Sequence, residues 1–456
     1  MKKNKYTYLS FMLMLATGSM DAQPFNNESF DFVDCLFTDL TGQLRTVTIP
    51  SQALNNAIEH GIAFDGSSIP GMTSITQSDL LLKLNMETFS PIALQKDHYK
   101  TARVFCDVFL DETTPYDGDA RYLLKTTIKQ AEAMGFIFHV GPELEFFIVD
   151  AQNETAPYDT QSYFMPDNDA RIGSFKKELL ATLLGEHILV EKIHHEVAHG
   201  QYEISLRYGD ALMLADQIII AKQIIRNIAE KYSLKATFMP KPYSGKNGSG
   251  MHIHFSLYNI LDQCNAFYDS YDPFFLSQTA QHFIAGILKH IADYTLIFNQ
   301  TINSYKRLYA VGFEAPTFIC WGTKNRSALI RIPHINKNEP GSSRAELRSP
   351  DSLCNPYLAF ATLLKLGLNG IKESITLPRP INKNTYMLSE KERKELFITH
   401  LPSTLETSFV YFETSKTAQQ LVGSVIYEEL VKIKKNEIQQ YYSNITQWEK
   451  ERYFAC

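Results

Sequence analysis

The chain is poor in the signals that would set it apart from ordinary soluble enzymes. Its six cysteines (Cys35, Cys106, Cys264, Cys320, Cys354 and Cys456) are scattered, with no C-x-x-C pair, so neither a disulfide framework nor a thiolate zinc site is indicated. Positive charge is not in excess: 44 Lys and Arg stand against 50 Asp and Glu, for a net charge of −6, which argues against a nucleic-acid partner. The apolar run Leu9–Ala16 falls far short of the roughly twenty residues a membrane span needs. There is no Gly/Ser linker, no internal repeat and no G-x-x-x-x-G-K-[ST] string, which excludes a P-loop as a phosphate cradle. What is present is ordinary globular material, 44% hydrophobic and 21% charged over 456 residues, enough for two or three domains.

From Phe32 to Ile49, Val33, Cys35 and Phe37, then Leu44, Thr46 and Thr48, alternate around Thr41-Gly42. That pattern predicts two strands joined by a turn. Residues 51–60 predict a helix closed by Gly61, and further strands are expected around Leu80–Leu84 and Thr101–Phe109. The Pro/Asp/Gly stretch Thr113–Asp119 marks a domain boundary. Beyond it, Arg121–Met134 predicts a helix ended by Gly135, and Phe136–Val149 a strand, a break and a second strand. Asp210–Tyr232 carries Leu214, Ile218, Ile219, Ala221 and Ile225 at helical spacing. Phe274–Tyr294, Pro356–Leu368 and the amphipathic tail Thr417–Tyr442 are further expected helices. The expected class is α+β, with an atypical extension over 1–30, a small strand-rich domain over 31–115 and a larger domain over 116–456.

The chemistry lies in a set of acids and histidines. Glu143 and Glu145 sit two apart in Gly-Pro-Glu-Leu-Glu-Phe-Phe-Ile-Val, and a strand throws such a pair onto one face. Two adjacent carboxylates repel, so one takes a proton unless a cation lies between them. His194-His195-Glu196 and Glu203 add two more acids. Asn247-Gly248-Ser249-Gly250-Met251-His252-Ile253-His254 joins a glycine-rich loop to two histidines at strand spacing, Arg307 and Glu314 bracket a Gly-containing segment, and Arg344-Ala345-Glu346-Leu347-Arg348 alternates charge with apolar residues. Any one of these could be a surface salt bridge or a satisfied core histidine. Together, oxygen ligands with at most one imidazole suit Mg²⁺ or Mn²⁺, and arginines beside such metals suit phosphoryl transfer.

In order along the chain, Phe64–Ser68, Pro142–Phe147, His194–Ile204, Asn247–His254, Asn303–Leu308, Asn325–Pro333 and Arg344–Leu358 resemble the signature segments of type I glutamine synthetase, and the resemblance runs from Asp31 to Phe454. It implies a β-grasp-like N-terminal domain followed by a catalytic domain with a curved antiparallel sheet and flanking helices. It also implies rings stacked into a homododecamer, in which the Asp65-Gly66-Ser67-Ser68 loop completes a neighbouring subunit's site. Carried over residue by residue, one metal falls to Glu145, Glu196 and Glu203, and a second to Glu143, His252 and Glu346. Asn247, Gly248, Arg307 and Arg348 fall to glutamate, and His254, Ser256, Arg326, Arg331 and Arg344 to ATP. Asp65, Ser68, Tyr163 and Glu196 would form the ammonium pocket, with Asp65 as base, and Glu314 would close over the acyl phosphate. The implied reaction is ATP-dependent ligation of ammonia to glutamate through γ-glutamyl phosphate, with two or more Mg²⁺ or Mn²⁺ per site.

The nearest rival is a γ-glutamyl-amine ligase using a polyamine or another amine. The four pocket residues are all kept, which favours ammonia. A catalytically silent relative would be expected to have lost metal ligands, and all six are present. The chain departs from the family between Arg307 and Glu314, where it carries one extra residue and lacks the usual proline, and at Lys324, where the family usually has arginine. At the N-terminus, Lys2, Lys3 and Lys5 ahead of Leu9–Ala16 have the shape of a secretory signal. A docking helix or an early start codon would look the same, and an enzyme that consumes ATP is expected in the cytoplasm.

Overall fold

The computed structural model describes residues 30–94, 98–309 and 315–456. The signal-like segment and Glu314 lie outside the described residues. The first sheet contains β1 (Phe32–Thr38), β2 (Leu44–Pro50), β3 (Ile62–Asp65), β4 (Asp79–Leu84), β5 (Ser90–Pro91) and β6 (Thr101–Phe109). Its order is β2-β1-β6-β4-β3 with β5 added on β6, and β1 runs parallel to β6. Val33, Cys35 and Phe37 point into a small core with Leu82, Val104 and Val108. The alternate positions Leu36 and Phe105 join the large core of the rest of the chain, so this sheet is covered on both faces.

The turn between β1 and β2 is pressed against the larger domain. Gly42 takes φ +82°, and a Cβ there would stand 2.9 Å from the Asn355 Cα. Asn355 caps the helix Pro356–Lys372 with its side-chain oxygen, while its Nδ2 donates to the carbonyls of Asp39 and Leu40 at 3.4 and 3.2 Å.

The second sheet is built around one strand, β7 (Phe136–Asp150). It carries β8 (Val190–His195), β9 (Gln201–Leu206), β10 (Gly209–Asp210), β11 (Leu234–Thr237), β12 (Met251–Asn259) and β13 (Cys264–Asn265). After the short outlying β14 (Phe318–Ile319) come β15 (Trp321–Thr323), β16 (Ile330–Ile332) and β17 (Ala345–Leu347). The order is β15-β16-β17-β12-β7-β9-β8. Every pairing in this sheet is antiparallel except β15 with β16. The family's expected arrangement of a β-grasp domain, a curved sheet and flanking helices is the one found.

Three local expectations need correction. The break expected within Phe136–Val149 is absent, and β7 runs unbroken through Gly141-Pro142. Proline fits because, on one side of β7, pairing with β10 ends at Val140 and pairing with β9 begins at Glu143; the missing N–H falls where no ladder bond is required. The helix expected from Phe274 starts at Gln278, because Asp272 turns the chain first and Phe275 takes φ +58°. The tail helix is split at Gly423, φ +88°, into Ala418–Val422 and Ser424–Ser443. All six cysteines are free.

Candidate active site

Strand register gathers the acids and histidines. Glu145 lies directly opposite Glu203 and Glu143 opposite Ser205 across β7 and β9. On the other side of β7, His252 of β12 lies opposite Glu143, and Glu346 of β17 lies opposite His254 and Arg331. Like charges directly across a ladder are destabilising. Their persistence here, with Glu145, Glu196, Glu203 and Glu346 all buried, requires positive charge among them.

Three sets of ligand atoms lie within 4.8 Å of one another among the described residues: Glu143 with His254 and Glu346, Glu143 with Glu203 and His252, and Glu196 and Glu203 with His194. Carboxylates with imidazoles at this spacing fit Mg²⁺ or Mn²⁺. This grouping differs in detail from the one the resemblance implies. Glu145 stands outside the three sets, because its Oε2 accepts from Gln201 Nε2 at 3.0 Å and from the Gly250 N–H at 2.9 Å. Burial and the charges of Glu196 and Glu203 push the Glu145 carboxyl well above the usual range. Glu143 goes the other way: burial opposes its charge, but hydrogen bonds to His252 and His254 hold it well below the usual range.

Two side chains at this cluster had no role in the sequence reading. His194 Nε2 lies 3.1 Å from Glu196 Oε1, and the two-residue spacing of this pair on or beside β8 could have signalled it. Lys192 Nζ reaches Glu203 at 3.3 Å and Glu143 at 3.9 Å; its position depends on the irregularity in β8 between Val190 and Lys192, which no sequence pattern shows. His195 acts from behind, with Nε2 on Asp159 at 3.0 Å and Nδ1 on the Glu196 carbonyl at 2.6 Å.

The glycine-rich loop is shaped by Arg307. A Cβ on Gly248 would meet the Pro240 carbonyl at 2.2 Å and the Arg307 Cγ at 2.9 Å, and one on Gly250 would meet Arg307 Nη2 at 2.5 Å. Arg307 is buried and donates to the Ser349 carbonyl at 2.8 Å. It lines a small cavity with Asn247, Gly248, Glu145 and Glu196. Arg348 is completely buried, with Nη1 on Glu346 Oε1 at 2.6 Å and with Nε and Nη2 lacking a hydrogen-bond partner among the described residues.

Beside the acids opens a cavity of about 610 Å³ lined by Glu143, His254, Ser256, Tyr258, Ser343 and Arg344, a volume suited to a small-molecule ligand. Arg344 Nε donates to His254 Nδ1 at 3.3 Å, and Arg331 Nη1 donates to Glu346 Oε2 at 2.6 Å. Arg326 is exposed. Of the expected nucleotide residues, His254, Ser256 and Arg344 therefore line this cavity and Arg331 lies at the acid cluster.

Among the described residues, no hydrogen bond, ion pair or ring contact joins the Asp65 loop to Tyr163 or Glu196. Tyr163 packs on His194, ring centroids 5.6 Å apart, and feels the charge of Glu196. Asp65 and Ser68 stand on an exposed loop of the first sheet. There the hydroxyls of Ser67 and Ser68 donate to Asp65 at 2.6 Å each and hold its carboxyl below the usual range. Among the described residues, every hydrogen-bond partner of the Asp65 carboxylate is on its own loop.

A carboxylate-rich sheet able to hold divalent cations, with arginines and a cavity for a small-molecule ligand at its edge, fits the class of metal-dependent phosphoryl-transfer enzymes. The comparisons narrow this. The family model described as "Glutamine synthetase, catalytic domain" matches residues 117–453, and "Glutamine synthetase, beta-Grasp domain" matches residues 29–111. The glutamine synthetase of Methanosarcina mazei is 42% identical over 428 residues, 93% of this chain and 94% of that protein. Among solved structures, GmaS without ligand superposes with a TM-score of 0.83 at 29% identity, covering 94% of this chain and 98% of GmaS. Plasmodium falciparum glutamine synthetase superposes with a TM-score of 0.81 at 27% identity, covering 99% and 100%. The chain belongs to the glutamine synthetase family.

Proposed function

We infer that this chain is an ATP-dependent glutamate–ammonia ligase, forming L-glutamine, ADP and phosphate. The observation that carries the reading is the place of Glu143. Its Oε2 lies 3.4 Å from His252 inside the acid cluster, and its Oε1 lies 3.3 Å from His254 on the wall of the large cavity. A nucleotide in that cavity would present its phosphates to the carboxylates.

A carboxylate is a poor electrophile because oxide would have to leave. Phosphorylating the γ-carboxylate makes phosphate the leaving group. Glu145, Glu196 and Glu203 would hold one metal, and Glu143, His252 and Glu346 another. Bound Mg²⁺ or Mn²⁺ supplies neutralisation of the polyphosphate charge. Arg326, Arg331 and Arg344 orient and neutralise the phosphates, while His254 and Ser256 meet the nucleotide. Arg307 and Arg348 take the glutamate carboxylate, and the open donors of buried Arg348 support this assignment. Asn247 and Gly248 position the amino-acid end. Ammonium must lose a proton before it attacks. Asp65 and Ser68, with Tyr163 and Glu196, bind it, and Asp65 accepts the proton. Glu314 excludes water from the acyl phosphate.

The separation of the Asp65 loop from Tyr163 and Glu196 supports a homo-oligomer in which one subunit completes the next, as in a stacked-ring dodecamer. Use of ATP supports a cytoplasmic location, and no helix among the described residues is long and apolar enough to cross a membrane.

The test is phosphate release with ATP, glutamate and Mg²⁺, run with ammonium, with a panel of amines and with no amine. Turnover strictly dependent on ammonium is expected. Turnover only with a larger amine would replace this reading with a γ-glutamyl-amine ligase, and silence with every amine would overturn it.

A further inference from the structure

A second cavity, of about 430 Å³, lies away from the acid cluster. It is enclosed by the Thr41–Leu44 turn, the helix Ala211–Lys231, the Gln300-Thr301 loop, Leu353 and the helix Ser424–Ser443. Three cations line it, Lys222, Arg226 and Lys434, against one carboxylate, Glu437. Lys434 is satisfied: its Nζ donates to the Gln300 carbonyl at 2.5 Å and to Glu437 Oε2 at 2.9 Å. The other two are not. Lys222 is only 8% exposed and Arg226 is exposed at the rim; among the described residues neither has a hydrogen bond or an ion pair, and both lie over the Phe238 ring, 5.8 and 4.9 Å from its centroid.

That arrangement is costly as it stands. A largely buried ammonium with no carboxylate beside it loses hydration that a cation–π contact restores only in part. Lys222 and Arg226 are also four apart on one helix, where like charges repel, and Arg226 adds to the pressure on Lys222. The nearest acid influence is Asp351, which lies beyond ion-pair distance and is itself fully buried. An anion seated between the two cations removes both penalties together. Gln223, Gln300, Thr41 and Thr301 offer amides and hydroxyls for the remainder of such a molecule.

We propose that this cavity binds a small anionic metabolite through a carboxylate or phosphate held between Lys222 and Arg226. The site is joined to the acid cluster by a short covalent path. Leu353 lines the cavity, and the adjacent Ser352 donates to the carbonyls of Glu145 at 2.6 Å and Gly250 at 2.7 Å.

The test is calorimetric titration of the full chain with inorganic phosphate and, separately, with malonate, ADP and Mg²⁺ being present throughout. The wild type is compared with Lys222→Gln and, because a core position can disturb folding, with the rim variant Arg226→Gln. A binding event weakened at least tenfold in both variants is expected, with turnover at saturating substrates unchanged. Its appearance with phosphate, with malonate or with both names the anion class. Absence of binding to the wild type, or equal binding by wild type and variants, overturns the proposal.

Discussion

The Arg121 guanidinium grips Asp216 through two parallel hydrogen bonds, Nε to Oδ1 at 3.0 Å and Nη2 to Oδ2 at 2.8 Å. Its remaining nitrogen, Nη1, reaches Asp107 on β6 at 2.5 Å, and the Tyr357 hydroxyl donates to the same Asp216 at 2.6 Å. One buried arginine therefore ties the first sheet to the helices Ala120–Ala133, Ala211–Lys231 and Pro356–Lys372. Replacing it with methionine leaves buried Asp216 without a cation and Asp107 with Lys125 alone. Arg121→Met should lose about 3–5 kcal/mol of stability, read by chemical unfolding, while the fraction that remains folded keeps its turnover.

Glu346 is fully buried and clamped by Arg331 and Arg348 at 2.6 Å each. Burial raises the cost of its charge, but Arg348 and the neighbouring histidines hold its carboxyl below the usual range. In Glu346→Gln the shape survives while a donor for the divalent cation is lost. Turnover should fall at least about 100-fold with the particle size unchanged by light scattering, and Mn²⁺ binding should weaken in parallel. Near-normal turnover would remove Glu346 from the metal set.

Two glycines should respond in opposite ways to alanine. At Gly250 the new methyl would meet Arg307 Nη2 at 2.5 Å, so Arg307 must move, and glutamate kcat/KM should drop about 10- to 100-fold. At Gly173, within the helix Ala170–Gly185, nothing lies within 4 Å. Gly173→Ala should stabilise by about 0.5–1 kcal/mol with kinetics unchanged.

Asp119 gives a pH signature. It caps the helix Ala120–Ala133 and accepts the N–H groups of Val108 and Arg121 at 3.0 and 2.8 Å, yet burial pushes its carboxyl up to about 6. Between pH ~4, its unfolded value, and about 6, the folded state keeps a proton that the unfolded state has released. Its contribution is thus complete at acid pH and is lost as pH rises through about 6, a swing of up to about 3 kcal/mol. Asp119→Asn, followed by urea unfolding from pH 4 to 7, should flatten that part of the profile. An unchanged slope would assign the pH dependence to another group.

Sequence periodicity revealed the parts of the site that lie along single strands. The two-residue spacings of Glu143 with Glu145 and of His252 with His254 survive as shared faces of β7 and β12. What it could not reveal is pairing. Nothing in the sequence places Glu203 opposite Glu145 or Glu346 opposite His254, because register is settled by strands far apart in the chain. Lys222 illustrates a different blindness. It sits in a helix whose apolar stripe predicts burial correctly, but a charge inside such a stripe looks the same whether it reaches bulk solvent or lines a cavity. The strand break expected within Phe136–Val149 failed for a third reason, since the proline of Gly141-Pro142 forbids only the hydrogen bonds a neighbour asks for, and here none asks.

The clamp of Asn355 on the first hairpin bears on assembly. One side chain both starts the helix Pro356–Lys372 and grips the Asp39–Leu40 turn, while Gly42 leaves no gap for the two domains to rock. The angle between a subunit's own acid cluster and the Asp65 loop it would offer to a neighbour is therefore fixed before any neighbour arrives. In the ring proposed above, that angle would help set how many copies complete the circle. Loosening this small contact, for instance with Gly42→Ala, whose methyl would press on the Asn355 backbone, would alter that angle without touching the loop itself.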